Sequence, residues 1–80
     1  MFFEHIYCTY MKEVIRNKVA ELRLKANITQ EEMGEKVGVS RQTIIAIEKG
    51  NYTPSVLLAL KIADFFNKKV EDIFFVFYEK

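Results

Sequence analysis

Apolar residues at Ile15, Val19, Leu22 and Ala26 are spaced four, three and four apart, which places them on one face of a helix running from Lys12 onward. Basic Arg16, Lys18, Arg23 and Lys25 are interleaved with them. Asn27-Ile28-Thr29 breaks the period, and Thr29 followed three residues later by Glu32 predicts a capping box at the start of a second helix. Met33 and Val37 are that helix's inward pair, and Gly38 suits the left-handed conformation that ends it. Val39 alone separates Gly38 from Ser40, an N-cap for a third helix over Arg41 to Lys49 that closes at Gly50. Pro54 holds Thr53 extended, so Asn51 to Pro54 is loop. Ser55 then caps a fourth helix ending near Phe66, and a short fifth turn spans about Val70 to Phe74.

Both ends of the chain differ from the middle. "FFEHIYCTY" (2–10) and "IFFVFY" (73–78) are rich in aromatic and β-branched residues, the composition of strands, and are expected to pair with each other. Eighty residues make one domain. The expected fold is therefore mainly α, five helices with a small β element from the N- and C-terminal segments. The expected divisions are an N-terminal strand extension over 1–10, a helical unit over 11–74 and a C-terminal strand or tail over 75–80.

The fourth helix carries more apolar surface than a monomer needs. Val56, Ala59, Leu60 and Ala63 form one inward stripe. Leu58, Ile62 and Phe65 form a second, about 160° away at 100° per residue, and leave only a narrow polar sector at Lys61 and Asp64. A surface helix needs a single apolar face, so the Leu58-Ile62-Phe65 stripe, with Phe75 and Phe77 of the C-terminal run, is expected to form the interface of a homodimer.

Composition narrows the function. Half the residues are apolar and 29% are charged, the balance of a folded protein rather than a disordered tail. The net charge of +1 hides an uneven spread, since residues 11–28 carry five Lys/Arg against two Glu, and residues 29–37 carry three Glu against one Lys. Cys8 has no second cysteine to pair with, and with His5 alone it cannot complete a zinc site. Both are expected to be packing residues. No membrane span or export signal is visible, which points to a cytoplasmic protein. With no glycine-rich phosphate loop, nucleophile motif or metal-ligand cluster, an enzyme, a cofactor and a metal are not expected.

Two short helices joined by a tight glycine turn, the second presenting polar side chains, have the geometry of a helix-turn-helix. On the third helix Ile44, Ile47 and Glu48 share the inner side. Gln42, Ile45, Ala46 and Lys49 share the outer side, and Arg41 flanks it in the first turn. Residues at the head of such a helix point into the major groove of DNA, which is wide enough to admit it. An Arg fork matches guanine O6/N7, and a Gln amide matches adenine N6/N7.

"ITQEEMGEKVGVSRQTIIAIEKGNYTPS" (28–55) resembles the helix-turn-helix of the Cro/phage-repressor (XRE-like) family of transcriptional regulators. The resemblance continues through "LLALKIADFF" and "VEDIFF" and covers about Met11 to Phe75. It implies a lambda-repressor-like fold and double-stranded DNA as partner. It further implies Gln30 against a backbone phosphate, Ser40, Arg41 and Gln42 at base edges, and Thr43 on phosphate. Ala46 would contribute at most a methyl contact. Ile45 stands where relatives are commonly polar, and thymine-methyl contact and plain surface both fit it. Lys49, Asn51 and Tyr52 complete the expected DNA-contacting set. Arg23 and Glu48 are implied to form a partly buried ion pair bracing the first helix against the third. A protein-interaction module, such as an antitoxin, could use the same fold. Residues 1–10 lie outside the resemblance.

Overall fold

The computed structural model describes residues 12–79. Expectations for residues 1–11, including the strand over 2–10 and the packing of His5 and Cys8, lie outside the described residues. The chain runs as β1 (Lys12–Asn17), α1 (Val19–Lys25), α2 (Gln30–Val37), α3 (Arg41–Glu48), α4 (Val56–Phe66), α5 (Val70–Ile73) and β2 (Phe74–Glu79).

The start of the chain's helical reading needs correction. Lys12–Asn17 is a strand, paired antiparallel with β2 in the register Lys12↔Glu79 through Asn17↔Phe74. The C-terminal strand is thus present, and its partner among the described residues is Lys12–Asn17. The physical reason is tertiary. The aromatic run after α5 needs partners for its backbone groups, and Val14 and Ile15, opposite Phe77 and Val76, supply β-branched cross-strand neighbours. Pairing of that kind overrides the helical period at Ile15, and only Val19 and Leu22 of that period lie within α1. Val19 is buried and Leu22 half-buried, whereas Ala26 is the exposed C-cap of α1.

Helix ends follow local chemistry. Thr29 and Glu32 form both halves of a capping box, and Gly38 adopts φ 79° at the end of α2. Ser40 and Ser55 cap α3 and α4 through the amides of Thr43 and Leu58. Asn67, at φ 55°, closes α4 in the left-handed region.

The core gathers Val19, Met33, Val37, Ile44, Ile47, Leu58, Ile62, Ala63 and Ile73. Complete burial of an aliphatic side chain stabilises by about 1.5–3 kcal/mol, so the six side chains that are wholly enclosed, Met33, Ile44, Ile47, Ile62, Ile73 and Val19, dominate. This settles the orientation of α4 against expectation. Leu58 and Ile62 are core residues and Phe65 packs against the core, so these three do not form an outer stripe. Their arc continues through Ala59 and Ala63, which are also buried. The two alanines lie at the border of both candidate stripes, and the arc with Leu58 and Ile62 is the one that joins the core cluster containing Ile44 and Ile73. Val56 and Leu60, expected inside, are 77% and 53% exposed, and Leu57 is 64% exposed.

Phe74 packs on the core, while Phe75 and Phe77 remain well exposed on the ribbon. The Arg16 guanidinium lies 4.0 Å from the centroid of the Phe77 ring, and it pairs with Glu79 at 3.5 Å. Among the described residues no helix is long and apolar enough to cross a membrane.

Candidate nucleic-acid interface

The α2–turn–α3 unit is built on a very close approach. Gly34 is buried in α2, and its backbone sits directly against the turn that leads into α3, with its carbonyl accepting from the Val39 amide at 2.8 Å. A glycine inside a helix costs roughly 1 kcal/mol relative to alanine, a sequence signal of a packing role that the helical reading passed over. Gly38 in its left-handed conformation then turns the chain into Ser40.

α3 is anchored from below by Ile44 and Ile47, both fully buried. Its head points outward. Ser40, Arg41 and Gln42 are exposed, and so are Lys49, Asn51 and Tyr52 beyond its other end. Thr43, Ile45 and Ala46 are half-buried. Thr43 is also committed locally, since its hydroxyl lies 3.2 Å from that of Ser40 and its amide donates to Ser40 Oγ. No acidic residue stands in the first turn of α3, so nothing there opposes the positive end of the helix dipole. Arg41 adds a full charge at the same end. The surface suits a polyanion.

The opposite end of α3 is held by a polar network. Arg23 donates from Nε to Glu48 Oε2 at 2.7 Å and from Nη2 to Oε1 at 3.3 Å. Its Nη1 reaches the Ile28 carbonyl at 2.9 Å. The two side chains are only 12% and 8% exposed. The hydrogen bond to Glu48 raises the Arg23 pKa above its already high ordinary value, against an opposing desolvation effect, so the guanidinium stays charged. Gln30 joins it by donating from Nε2 to Glu48 Oε1 at 3.0 Å. The Gln30 amide is therefore oriented by α3 and half-buried rather than free at the surface.

Asn17 was not singled out in the sequence, because a helix read through Lys12 hid it. Its Nδ2 donates to the Ile47 carbonyl at 2.9 Å, and its Oδ1 accepts from the Val19 amide at 3.1 Å. Among the described residues no group of three or more His, Cys, Asp or Glu is placed to hold a metal ion.

A family model for the helix-turn-helix matches residues 19–73. The chain belongs to the Cro/phage-repressor (XRE-like) helix-turn-helix family. It is 56% identical over 62 residues to YgzD, an uncharacterized HTH-type transcriptional regulator of Bacillus subtilis, covering 78% of this chain and 94% of that one. An uncharacterized HTH-type transcriptional regulator of Methanocaldococcus jannaschii is 60% identical over 60 residues, covering 75% of this chain and 91% of that one. The cryptic phage CTXphi transcriptional repressor RstR of Vibrio cholerae is 30% identical over 57 residues, covering 71% of this chain and 51% of its own. A crystal structure from Bacteroides fragilis, of a protein provisionally described as DNA-binding, superposes with a TM-score of 0.69 at 19% identity, covering 78% of this chain and all of that one; that likeness concerns the fold. XRE-like helix-turn-helix proteins are non-enzymatic DNA-binding transcriptional regulators, and α3 is the second helix of the unit.

Proposed function

We propose that this XRE-like regulator is a sequence-specific repressor that acts in the cytoplasm and binds a palindromic operator as a homodimer. The observation that carries the reading is the division of α3, with Ile44 and Ile47 sealed in the core while Arg41 and Gln42 project beside a cap that bears no acid. Arg41 and Gln42 read base edges, and Ser40 supports them. Thr43, Lys49, Asn51 and Tyr52 track the backbone, with the side chains of Ile45 and Ala46 closing over the groove floor. Gln30, held by Glu48, meets phosphate at the start of α2. Phosphate contacts fix register and base contacts give specificity. Repression is favoured because the Vibrio cholerae relative is a repressor by name.

Dimerisation is assigned to α4 rather than to the stripe expected from the sequence. Val56, Leu57 and Leu60 are the most exposed aliphatic side chains of that helix, and they follow directly on the loop that ends α3. Phe77, by contrast, is already covered on one face by Arg16. Two copies joined through α4 would present two recognition helices to successive major grooves roughly 34 Å apart. Selection from a random duplex library tests the whole reading. An enriched inverted repeat with half-sites about one turn apart is expected, and a pool without any enriched motif at physiological salt would refute it.

A further inference from the structure

We propose that Asn17 is a positioning residue for DNA readout, a clamp through which the β1–β2 ribbon sets the pose of the recognition helix. The inference rests on the specific-binding reading above. Asn17 is the last residue of β1, opposite Phe74, and one amide group serves two other elements. Its oxygen caps the first amide of α1, and its nitrogen holds the carbonyl of Ile47 near the end of α3. Next to it, Glu48 is gripped by Arg23 of α1 and Gln30 of α2. Consecutive residues near the end of α3 are therefore held from the ribbon and from both preceding helices, whereas its head is held by the Ser40 cap, by the turn packed on Gly34 and by buried Ile44.

The geometry makes that anchoring matter for discrimination. From Ile47 back to Arg41 is six residues, about 9 Å of helix at 1.5 Å per residue. A tilt of about 10° about the clamped end moves the head by roughly 1.5 Å, enough to break bidentate bonds that need about 2.7–3.2 Å. Long, flexible side chains on phosphate accommodate such a shift. Loss of the clamp should then erode specificity more than general affinity.

Two substitutions separate the clamp from the cap. Asn17→Asp keeps an oxygen for the Val19 amide but loses the donor to Ile47, whereas Asn17→Ala removes both. The probes are the duplex recovered by selection and a scrambled duplex of equal length. Partial unfolding scales both affinities by the same folded fraction, so their ratio is blind to a merely structural role. The ratio is expected to fall about tenfold in both variants, with scrambled-duplex affinity of the folded protein within about twofold of wild type. Only Asn17→Ala is expected to melt appreciably earlier. Residual dipolar couplings on free Asn17→Asp should show α3 reoriented relative to α4. An Asn17→Asp variant with the wild-type ratio and an unmoved α3 would overturn the clamp. If the wild type itself shows no preference between the duplexes, the specific-binding reading fails instead, and the dipolar couplings alone then decide the clamp: an unmoved α3 overturns it, a reoriented one upholds the mechanical link.

Discussion

A Cβ on Gly34 would stand 2.6 Å from the carbonyl oxygen of Val39, with the carbonyl carbon and oxygen of Ser40 at 3.3 Å. All of these are backbone atoms, so no side chain can swing aside to make room. Gly34→Val adds that Cβ and two further methyl groups at the point where α2 meets the turn into α3. Overpacking typically costs about 1–3 kcal/mol, and the upper end is expected here because relief requires separating two helices. Urea denaturation should show a lower midpoint with an unchanged slope. Operator binding should be lost even under conditions where the variant remains folded.

The Arg23–Glu48 pair gives a second prediction. Removing one partner of a buried, hydrogen-bonded pair strands the other charge, at a cost on the order of 3–5 kcal/mol. Glu48→Ala also deprives Gln30 of its acceptor, so a loss of about 3 kcal/mol is expected even with the slight exposure of the pair. For a domain of this size that is a drop in Tm on the order of 10 °C or more. Glu31→Ala, an exposed residue of the same charge, should leave Tm within a few degrees. Equal melting of the two variants would show that the network does not brace α3.

These two sites differ in how much of them the sequence disclosed. Thr29, Gly38, Ser40 and Ser55 were legible because capping is local, a hydroxyl or a left-handed residue acting within a few positions of itself. The polar head and apolar underside of α3 were legible for the same reason, since one helical period contains both. β1 was not, because the aromatic run after α5 decides it from more than fifty residues away in the chain. Nor was the face of α4. Ala59 and Ala63 border two apolar arcs, and the choice between Leu58-Ile62 and Val56-Leu60 depends on where Ile44 and Ile73 stand. Asn17 has meaning only when β1, α1 and α3 are known together.

Glu32 links the start of α2 to pH. Its carboxylate accepts from the Thr29 amide at 2.8 Å, and that bond, reinforced by the Thr29 side chain, lowers its pKa below the ordinary 4.5. Because the folded value lies below the unfolded one, the stabilisation is present above the ordinary carboxylate value and is lost as pH falls through the folded value. Glu32→Ala should therefore melt earlier than wild type at neutral pH. The difference should close in melts carried out well below the ordinary carboxylate range. A gap of constant size across that range would mean that the charged form of the capping box contributes nothing.

Arg41 and Lys49 should separate specificity from general attraction. A bidentate Arg–guanine contact contributes about 1–3 kcal/mol of discrimination. Arg41→Ala should therefore relax preference at one base pair in each half-site, visible when selection is repeated with the variant. Lys49→Ala should weaken binding to every sequence by a similar factor and reduce the slope of log affinity against log salt by about one per recognition helix. A Lys49 variant with altered base preference would show that its side chain reaches the groove floor rather than the backbone.

The apolar patch on α4 carries the prediction on assembly. Val56, Leu57 and Leu60 lie on the solvent side of a helix whose other face is sealed by Leu58 and Ile62. A substitution at Leu57 therefore leaves the core untouched, and exposed positions of that kind usually change stability by less than about 0.5 kcal/mol. Across a two-fold axis the same patch meets itself, so each Leu57→Glu carboxylate would be buried against apolar side chains, where an unpaired charge is strongly disfavoured. The dimer dissociation constant should rise at least about a hundredfold, the equivalent of roughly 2.8 kcal/mol. In sedimentation at micromolar concentration the wild type should run as a dimer and Leu57→Glu as a monomer. The variant should then bind a full palindrome little better than a single half-site, while keeping the same base preference within that half-site. A Leu57→Glu protein that still sediments as a dimer would move the interface away from α4, and the aromatic ribbon around Phe75 would be the next surface to substitute.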